Sequence, residues 1–170
     1  AFERLKQEGK VLHFGVSNHS ENQIRFLETE LLEPLHVNQI QVSLMHADLF
    51  KSGFHVNLSS DISSEGLLEY LRTKKMTIQA WSPFYAGFFK EIFIDHKDYP
   101  MLNRKLAQLA KRYHASKEAI AISWLTSHPA KIQVLTGSMN PQRLKKIAAG
   151  VDIQLSREEW YDLYRAAGHL

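Results

Sequence analysis

The stretch Gly9-Lys10-Val11-Leu12-His13-Phe14-Gly15-Val16-Ser17-Asn18 decides the fold: a short apolar run that stops at Gly15 and ends in two small polar side chains. An apolar strand followed by small polar groups is how α/β proteins build ligand sites at strand ends. The stretch lies close to a chain start that is not a methionine and has the pattern of the middle of a helix. We therefore expect the sequence to begin partway through a fold.

The composition is that of an ordinary globular protein. The 170 residues are 44% hydrophobic and 23% charged, which is enough apolar material for one core. We therefore expect one domain, or part of one. The net charge is +3, but Lys and Arg are interspersed with Asp and Glu, so no basic stripe points to nucleic acid as a partner.

The absence of cysteine and the hydropathy of the chain bear on the cellular compartment that we expect for the protein. The absence of cysteine excludes disulfides, thiolate metal sites and a cysteine nucleophile, and leaves a cytoplasmic protein as the default expectation. No apolar stretch approaches the roughly 20 residues that span a bilayer, and the amino terminus lacks a signal-peptide pattern. We expect a soluble protein with no membrane partner.

Strand-like and helix-like segments alternate along the chain. The patterns predict strands at 11–17, 37–42, 76–81 and 132–135, and helices at 1–8, from residue 20, and at 65–73, 102–113, 117–127, 141–149 and 157–167. Ser20 with Gln23 and Ser156 with Glu159 have the capping-box spacing, and Ser116 is placed to cap its helix. The last helix lies outside the alternation, so we expect it to pack over a finished structure.

Four strands, each followed by a helix, predict a parallel α/β sheet. An open doubly wound sheet and a closed (β/α)8 barrel both satisfy this pattern. Polar groups recur on one face of the second and third strands, a face made by Val37, Gln39, Gln41, Thr77, Gln79 and Trp81. Such groups fit the ligand end of a barrel better than the underside of a helix layer. No Gly-x-Gly-x-x-Gly follows any strand, so the sequence favours half of a barrel.

The segment 135–143, Leu-Thr-Gly-Ser-Met-Asn-Pro-Gln-Arg, carries the strongest chemical signal. Gly137 permits a tight or positive-φ turn, Asn140 is a good N-cap, and Pro141 suits the first helical position. We expect free amides at this helix start and a guanidinium at Arg143, which together suit phosphate. A capped surface helix with a solvated Arg143 is the alternative, and the residues alone leave both open.

Other residues carry weaker signals. Trp81, which ends the third strand before Ser82 and Pro83, suits stacking on a flat ring or ordinary core packing. Gln39 suits hydrogen bonding to an amide or to a buried polar neighbour. His13 and His19 lack zinc spacing and an accompanying carboxylate cluster, so we expect no metal site. No Gly-x-Ser-x-Gly surrounds a serine, which argues against a serine hydrolase.

Taken in order, the segments resemble the carboxyl half of an aldo-keto reductase, especially its bacterial YdhF-like branch. The matching segments are 9–11, 15–18, Asn38-Gln39, 81–83, 136–138 with Pro141 and Arg143, and the closing 155–161. The resemblance spans essentially all 170 residues. It implies strands five to eight and the terminal helix of one (β/α)8 barrel domain, 1–170, without a second domain, and it implies NADP as cofactor.

The resemblance also implies residue roles. Ser17, Asn18 and Gln39 correspond to the set that binds the nicotinamide carboxamide, and Trp81 to the aromatic residue on which the nicotinamide stacks. Ser82, Pro83 and Phe84 enter the pyrophosphate loop. Ser138 and Arg143 match positions that hold the adenosine 2′-phosphate, and Gly137 belongs to the same set of cofactor-binding positions. The sequence departs from the family pattern at two places. Many members have Lys where this chain has Gly137, and an acidic residue and Asn often contact adenine where this chain has Lys146 and Ile147. Arg143 would therefore carry most of the discrimination for the 2′-phosphate.

The family's catalytic Asp, Tyr, Lys and His belong to the amino-terminal half, so we expect no catalytic residue in this chain and the missing half of the barrel as its partner. In the family, Tyr protonates the carbonyl oxygen of a small-molecule carbonyl substrate as the hydride arrives. We expect an NADP-dependent oxidoreductase that reduces an aldehyde or ketone. A potassium-channel β-subunit-like nucleotide sensor of the same fold is the alternative, and a bare barrel fragment without ligand is a third.

Half a barrel exposes strand edges and one face of its core. We therefore expect an isolated 170-residue monomer to bind NADP only weakly. Substrate specificity in such barrels depends on loops, and the long connection 45–64 is the one obvious contributor in this sequence. Its residues His46, Phe50 and Phe54 predict a partly apolar rim, which suits many carbonyl compounds.

Overall fold

Helices and strands alternate in the computed structural model, which describes residues 1–51, 66–88 and 90–170. The strands are β1 (Phe14–Ser17), β2 (Leu35–Gln41), β3 (Thr77–Trp81) and β4 (Gln133–Val134). The helices are α1 (Phe2–Gln7), α2 (Glu21–Glu30), α3 (Asp48–Lys51), α4 (Leu67–Thr73), α5 (Pro100–Arg112), α6 (Lys117–Thr126), α7 (Pro141–Ala148) and α8 (Arg157–Ala166). Phe54, predicted to line a substrate rim, lies outside the described residues.

The four strands form one sheet in the order β1-β2-β3-β4, and β1 pairs with β2 in parallel. In that pair Ser17 lies opposite Gln39 and Gly15 opposite Val37. A Cβ atom at Gly15 would lie 2.7 Å from the Val37 Cβ, so this register admits only glycine without a backbone shift. The predicted parallel α/β sheet is confirmed.

The polar face predicted for the sheet is present. Gln39 Nε2 donates to Gln79 Oε1 at 3.3 Å, and both side chains are half-buried. The alternate residues Ile40 and Ile78 are buried, as the two-residue period of a strand requires. The two amides satisfy each other on a face that water reaches only in part.

The predicted caps define the helix starts. Ser20 Oγ accepts from Gln23 N–H, while Gln23 Oε1 accepts from Ser20 N–H. Ser156 and Glu159 form the same reciprocal pair at α8. Ser116 Oγ accepts from the Ala119 N–H at 3.1 Å. Each cap satisfies amides that the first helical turn leaves unpaired, so these three starts are confirmed.

Two compact units make up the chain. The first comprises Ala1–Ile40 and Asp48–Gln79. In it, α2 and α4 are joined by Glu28, whose carboxylate accepts from Tyr70 OH at 2.7 Å and from Lys74 Nζ at 2.9 Å. Fully buried apolar side chains such as Leu71 form its core.

The second unit comprises Gln41–Ala47 and Ala80–Leu170. Its centre is α6, in which residues 119–125 are all buried, as expected for a helix that is apolar on every side. Trp124 and Trp160 stack with ring centroids 4.7 Å apart, and each indole N–H donates to the other residue's carbonyl. α8 packs on α5 through Glu159, which accepts from Arg112 and Tyr113. This packing agrees with the prediction for the last helix.

Some predicted boundaries are wrong. β1 begins at Phe14 rather than at residue 11, because the chain before it turns and Leu12 O accepts from Lys6 Nζ. β4 has two residues instead of four, although the Leu135 N–H still donates to Ala80 O. The four-residue helix α3 is too short to show a 3.6-residue period. None of the described helices has the length and apolar character needed to cross a membrane.

Candidate functional site

A cleft of about 320 Å³ lies in the second unit, between the segments that follow β3 and β4. Its lining comprises Ser82, Pro83, Phe84, Tyr85, Ile92, Thr136, Gly137, Ser138 and Arg143. We call it the Arg143 cleft. Six of the predicted cofactor residues therefore lie together, namely Ser82, Pro83, Phe84, Gly137, Ser138 and Arg143. Tyr85 and Ile92 were not singled out from the sequence, and Thr136 was quoted only as part of the segments 135–143 and 136–138 without a role of its own.

Arg143 is held against an aromatic ring at this cleft. Its guanidinium carbon lies 5.6 Å from the ring centroid of Phe84, a residue that is 4% exposed. A cation over an aromatic face is attracted by the ring quadrupole, which restrains the guanidinium without neutralising it. Within residues 1–51, 66–88 and 90–170, no carboxylate forms an ion pair with Arg143. Its charge remains available to an anion.

Two hydroxyl groups accompany this charge. Thr136 Oγ1 accepts from the Ser138 N–H, and Ser138 Oγ accepts from the Asn140 N–H, both at 3.3 Å. In the part of the chain that the structure describes, neither hydroxyl hydrogen has an acceptor. A hydroxyl that already accepts can still donate, so both oxygens suit an anion.

The free amides predicted at the start of α7 are not available. Asn140 Oδ1 accepts from the N–H groups of Gln142 and Arg143 at 3.0 and 3.1 Å, and Asn140 O accepts from the Leu144 N–H. Pro141 has no N–H. The prediction was wrong because the residue that caps the helix also takes the amides that would meet an anion.

Gly137 does not adopt a positive φ, so of the two predicted alternatives, a tight turn or a positive-φ turn, the second was wrong. An added Cβ at Gly137 would meet nothing within 4 Å. The position therefore has room for a larger side chain at the edge of the Arg143 cleft.

A second cleft, of about 390 Å³, lies in the first unit at β1 and β2. We call it the Gln39 cleft; it is lined by His13, Phe14, Gly15, Val16, Ser17, Val37, Gln39 and Gln79. Ser17 Oγ donates to Gln39 O at 3.1 Å. Of the predicted carboxamide set, Ser17 and Gln39 therefore lie together at this cleft.

The turn after β1 is fixed by a residue whose role the sequence did not reveal. Asn38 is fully buried, and its side chain donates to His19 O at 2.8 Å and accepts from His19 N–H at 3.4 Å. Asn18 adopts a φ of 55°, and its N–H donates to Gln39 O at 2.9 Å. An amide residue inside an apolar strand was the available signal, since a buried amide needs partners. Asn38 thus orients the turn that carries Asn18.

Trp81 lines neither cleft. It is half-buried at the end of β3, where its ring meets that of Phe88 edge-to-face at a centroid distance of 6.1 Å. Phe88 is 63% exposed. This ring contact agrees with the second interpretation of Trp81, in which its side chain packs against a neighbouring residue.

His13, which with His19 was predicted not to form a metal site, contacts His36 edge-to-face at a centroid distance of 4.3 Å. A cluster not foreseen from the sequence joins Glu91, His96 and Asp98, whose ligand-type atoms lie within 4.8 Å of one another. Tyr99 OH donates to Glu91 at 2.6 Å, and this contact raises the pKa of Tyr99 to about 12. The Asp98 N–H donates to His96 Nδ1 at 3.3 Å, and exposed acidic groups of this kind carry no metal assignment by themselves.

Comparison with known proteins identifies the family. The aldo/keto reductase family model matches residues 1–167. The chain is 30% identical over 167 residues to a 6-dehydroglucose reductase of Agrobacterium fabrum, covering 98% of this chain and 50% of that protein. It is 29% identical over 168 residues to the oxidoreductase YdhF of Escherichia coli, covering 98% and 51% respectively.

A solved structure shows the same fold. The aldo-keto reductase AKR2E5 of the silkworm, Bombyx mori, complexed with NADPH, matches with a TM-score of 0.71 at 20% identity, over 96% of this chain and 45% of that one. The chain spans about half the length of the curated relatives it matches. Its parallel α/β sheet is accordingly a partial (β/α)8 barrel. On the match over residues 1–167, the chain belongs to the aldo/keto reductase family.

Proposed function

We propose that the full-length protein is an NADP-dependent oxidoreductase that reduces an aldehyde or ketone by hydride transfer. This chain would supply the cofactor-binding half of one barrel domain. Family membership supports the reaction class, and the NADPH complex of a structural relative supports the cofactor class. NADPH, when bound, supplies the hydride.

The observation that carries this proposal is the Arg143 cleft. A restrained guanidinium without a carboxylate partner in the described residues stands beside two hydroxyls that can donate. This donor set fits a phosphate monoester, for which a planar bidentate cation is well suited. Ile147, where the family often has an adenine-contacting Asn, is buried and offers no polar group. Arg143 would therefore provide most of the preference for NADP over NAD.

Residues of the Gln39 cleft would recognise the nicotinamide carboxamide. Gln39 uses its Nε2 on Gln79, so its Oε1 is the atom left to accept from an amide NH2. Ser17 already donates to a backbone carbonyl and would act as an acceptor. We propose Asn18 as the third member and Trp81 as the stacking residue, and we place the proton donor outside these 170 residues.

Arg143→Ala tests the proposal in the full-length protein, with NADPH and NADH titrated by fluorescence. We expect the NADPH dissociation constant to rise about 10- to 100-fold, as for loss of a charged hydrogen-bonding group, while that of NADH changes little. Arg157→Ala is the matched control, because Arg157 lies 5.9 Å from the Tyr161 ring in a similar cation–π contact and lines neither cleft.

Equal effects of the two variants would contradict the role of Arg143. A wild-type protein that binds neither nucleotide would refute the cofactor assignment. Binding of NADPH without its oxidation by any aldehyde or ketone would refute the catalytic part and would favour a nucleotide-sensing subunit.

A further inference from the structure

One wall of the Arg143 cleft comes from two segments, 84–86 and 91–93, that pair with each other after β3. The Ala86 N–H donates to Glu91 O at 2.9 Å, and the Phe93 N–H donates to Phe84 O at 3.0 Å. Tyr85 and Ile92 form the antiparallel bridge between them. We call these the paired segments. They bring Phe84, Tyr85 and Ile92 to the cleft.

The first paired segment is tied to the residues after β2 by a buried hydroxyl. Ser43 is fully buried, and its Oγ donates to Tyr85 O at 2.7 Å. The same oxygen accepts from the N–H groups of Met45 and His46 at 3.2 and 3.0 Å. All the hydrogen-bonding capacity of the hydroxyl is therefore used, which fixes its direction.

The second paired segment is tied to α5 by one amide side chain. Asn103 Nδ2 donates to Phe93 O at 2.8 Å and to Tyr99 O at 3.0 Å. Its Oδ1 accepts from the Asp95 N–H at 2.7 Å. Asn103 lines neither cleft, yet it holds the end of the segment that completes the wall.

We propose that Ser43 and Asn103 are positioning residues for cofactor binding. By fixing the carbonyls of Tyr85 and Phe93, they hold the paired segments in register, so that the Phe84 ring stays beneath the Arg143 guanidinium. A wall that is already ordered spares the ligand the entropic cost of ordering it. This inference rests on the proposed function, because the ligand is the phosphate-bearing end of NADPH.

The chain offers a matched control for Ser43. Ser123 is equally buried, and its Oγ also donates to a backbone carbonyl, Ile153 O, at 2.7 Å. It lies in α6 and lines neither cleft. Removing either hydroxyl leaves one backbone carbonyl without its donor, but Ser43→Ala also takes an acceptor from the N–H groups of Met45 and His46, so it should lose somewhat more stability than Ser123→Ala. Only Ser43→Ala should affect the wall of the cleft.

The experiment compares Ser43→Ala, Asn103→Ala and Ser123→Ala in the full-length protein. NADPH affinity is measured by fluorescence titration, and amide hydrogen exchange is followed at Ala86 and Phe93. We expect Ser43→Ala and Asn103→Ala to raise the NADPH dissociation constant about three- to tenfold and to speed exchange at both amides. Ser123→Ala should leave the dissociation constant within about twofold of wild type and the exchange unchanged.

Equal NADPH affinities for the Ser43→Ala and Ser123→Ala variants would overturn the inference. So would weaker binding without faster exchange at Phe93. If Ser43→Ala does not fold, Asn103→Ala decides the question from the other segment. Weakened binding in Arg143→Ala, with wild-type binding in Ser43→Ala and Asn103→Ala, would overturn this inference and leave the proposed function intact. Failure of the wild type to bind NADPH would overturn both.

Discussion

Replacing Glu159 by Gln should destabilise the second unit, because this carboxylate joins α8 to α5. Glu159 is 8% exposed and accepts from Arg112 Nη1 and Tyr113 OH, each at 2.5 Å, and from the Ser156 N–H at 3.0 Å. Burial by itself raises the pKa of Glu159. The hydrogen bonds from Tyr113, Ser156 and Arg112 outweigh burial and hold the pKa below its ordinary 4.5.

The size of the effect follows from these contacts. A hydrogen bond to a charged group contributes about 1.5–3 kcal/mol, and the Arg112 side chain, which is 58% exposed, contributes at the low end of that range. Gln keeps the shape but loses the charge and turns an NH2 group toward donors. We expect the free energy of unfolding to fall by about 2–3 kcal/mol at pH 7.

The pH dependence has a definite sign. Since the folded-state pKa of Glu159 is lowered, its contribution is fully present above the unfolded pKa of 4.5 and is lost as the pH falls through the folded value. The difference between wild type and Glu159→Gln should therefore be constant near neutrality and shrink below about pH 4.5.

Urea unfolding of the full-length protein between pH 7 and pH 3 measures this difference. Glu158→Gln is the control, since Glu158 is exposed on the same helical turn and accepts from Ser156 Oγ. The reasoning fails if the two variants unfold alike at pH 7. It also fails if the deficit of Glu159→Gln is undiminished at pH 3.

Three further predictions concern single positions. Gly15→Ala should lower the free energy of unfolding by about 1–3 kcal/mol, because its Cβ would lie 2.9 Å from Val37 O as well as 2.7 Å from Val37 Cβ; thermal unfolding should show no such loss for Gly137→Ala. Gly137→Lys should raise affinity for NADPH but not for NADH, since the site is open and gains a cation; equal gains in the two titrations would contradict this. Trp124→Phe should cost about 1–3 kcal/mol because Trp160 O loses its donor; an unchanged urea midpoint would refute it.

The parts of the fold that depend on contacts between residues close in sequence could be predicted from the sequence. Ser20, Ser116 and Ser156 cap their helices as predicted, because a cap involves residues only two or three positions apart. The alternation of segments gave the parallel sheet. The start of β1 was not accessible, because the apolar run gives no sign that the strand begins only at Phe14, where its pairing with Leu35 starts.

Prediction of the site was limited by contacts between distant parts of the chain. Residues lining the Arg143 cleft could be grouped because two strand ends carry them. Ser43 and Asn103 were not singled out, since their partners lie 42 and 10 positions away and neither belongs to a motif. Asn38 belonged to a segment named in the sequence analysis, but its hydrogen bond to His19 O depends on the pairing of β1 with β2 and could not be predicted.

The capped start of α7 changes how the Arg143 cleft would recognise the phosphate that we propose as its ligand. When a helix start binds an anion through free amides, the fold itself supplies the donors and substitution cannot remove them. Here Asn140 takes those amides, so the donors are the side chains of Thr136, Ser138 and Arg143. Under the proposed function, the preference for NADP over NAD would be set by these side chains, together with the Phe84 ring that restrains the guanidinium, and substitution could alter it without altering the start of the helix.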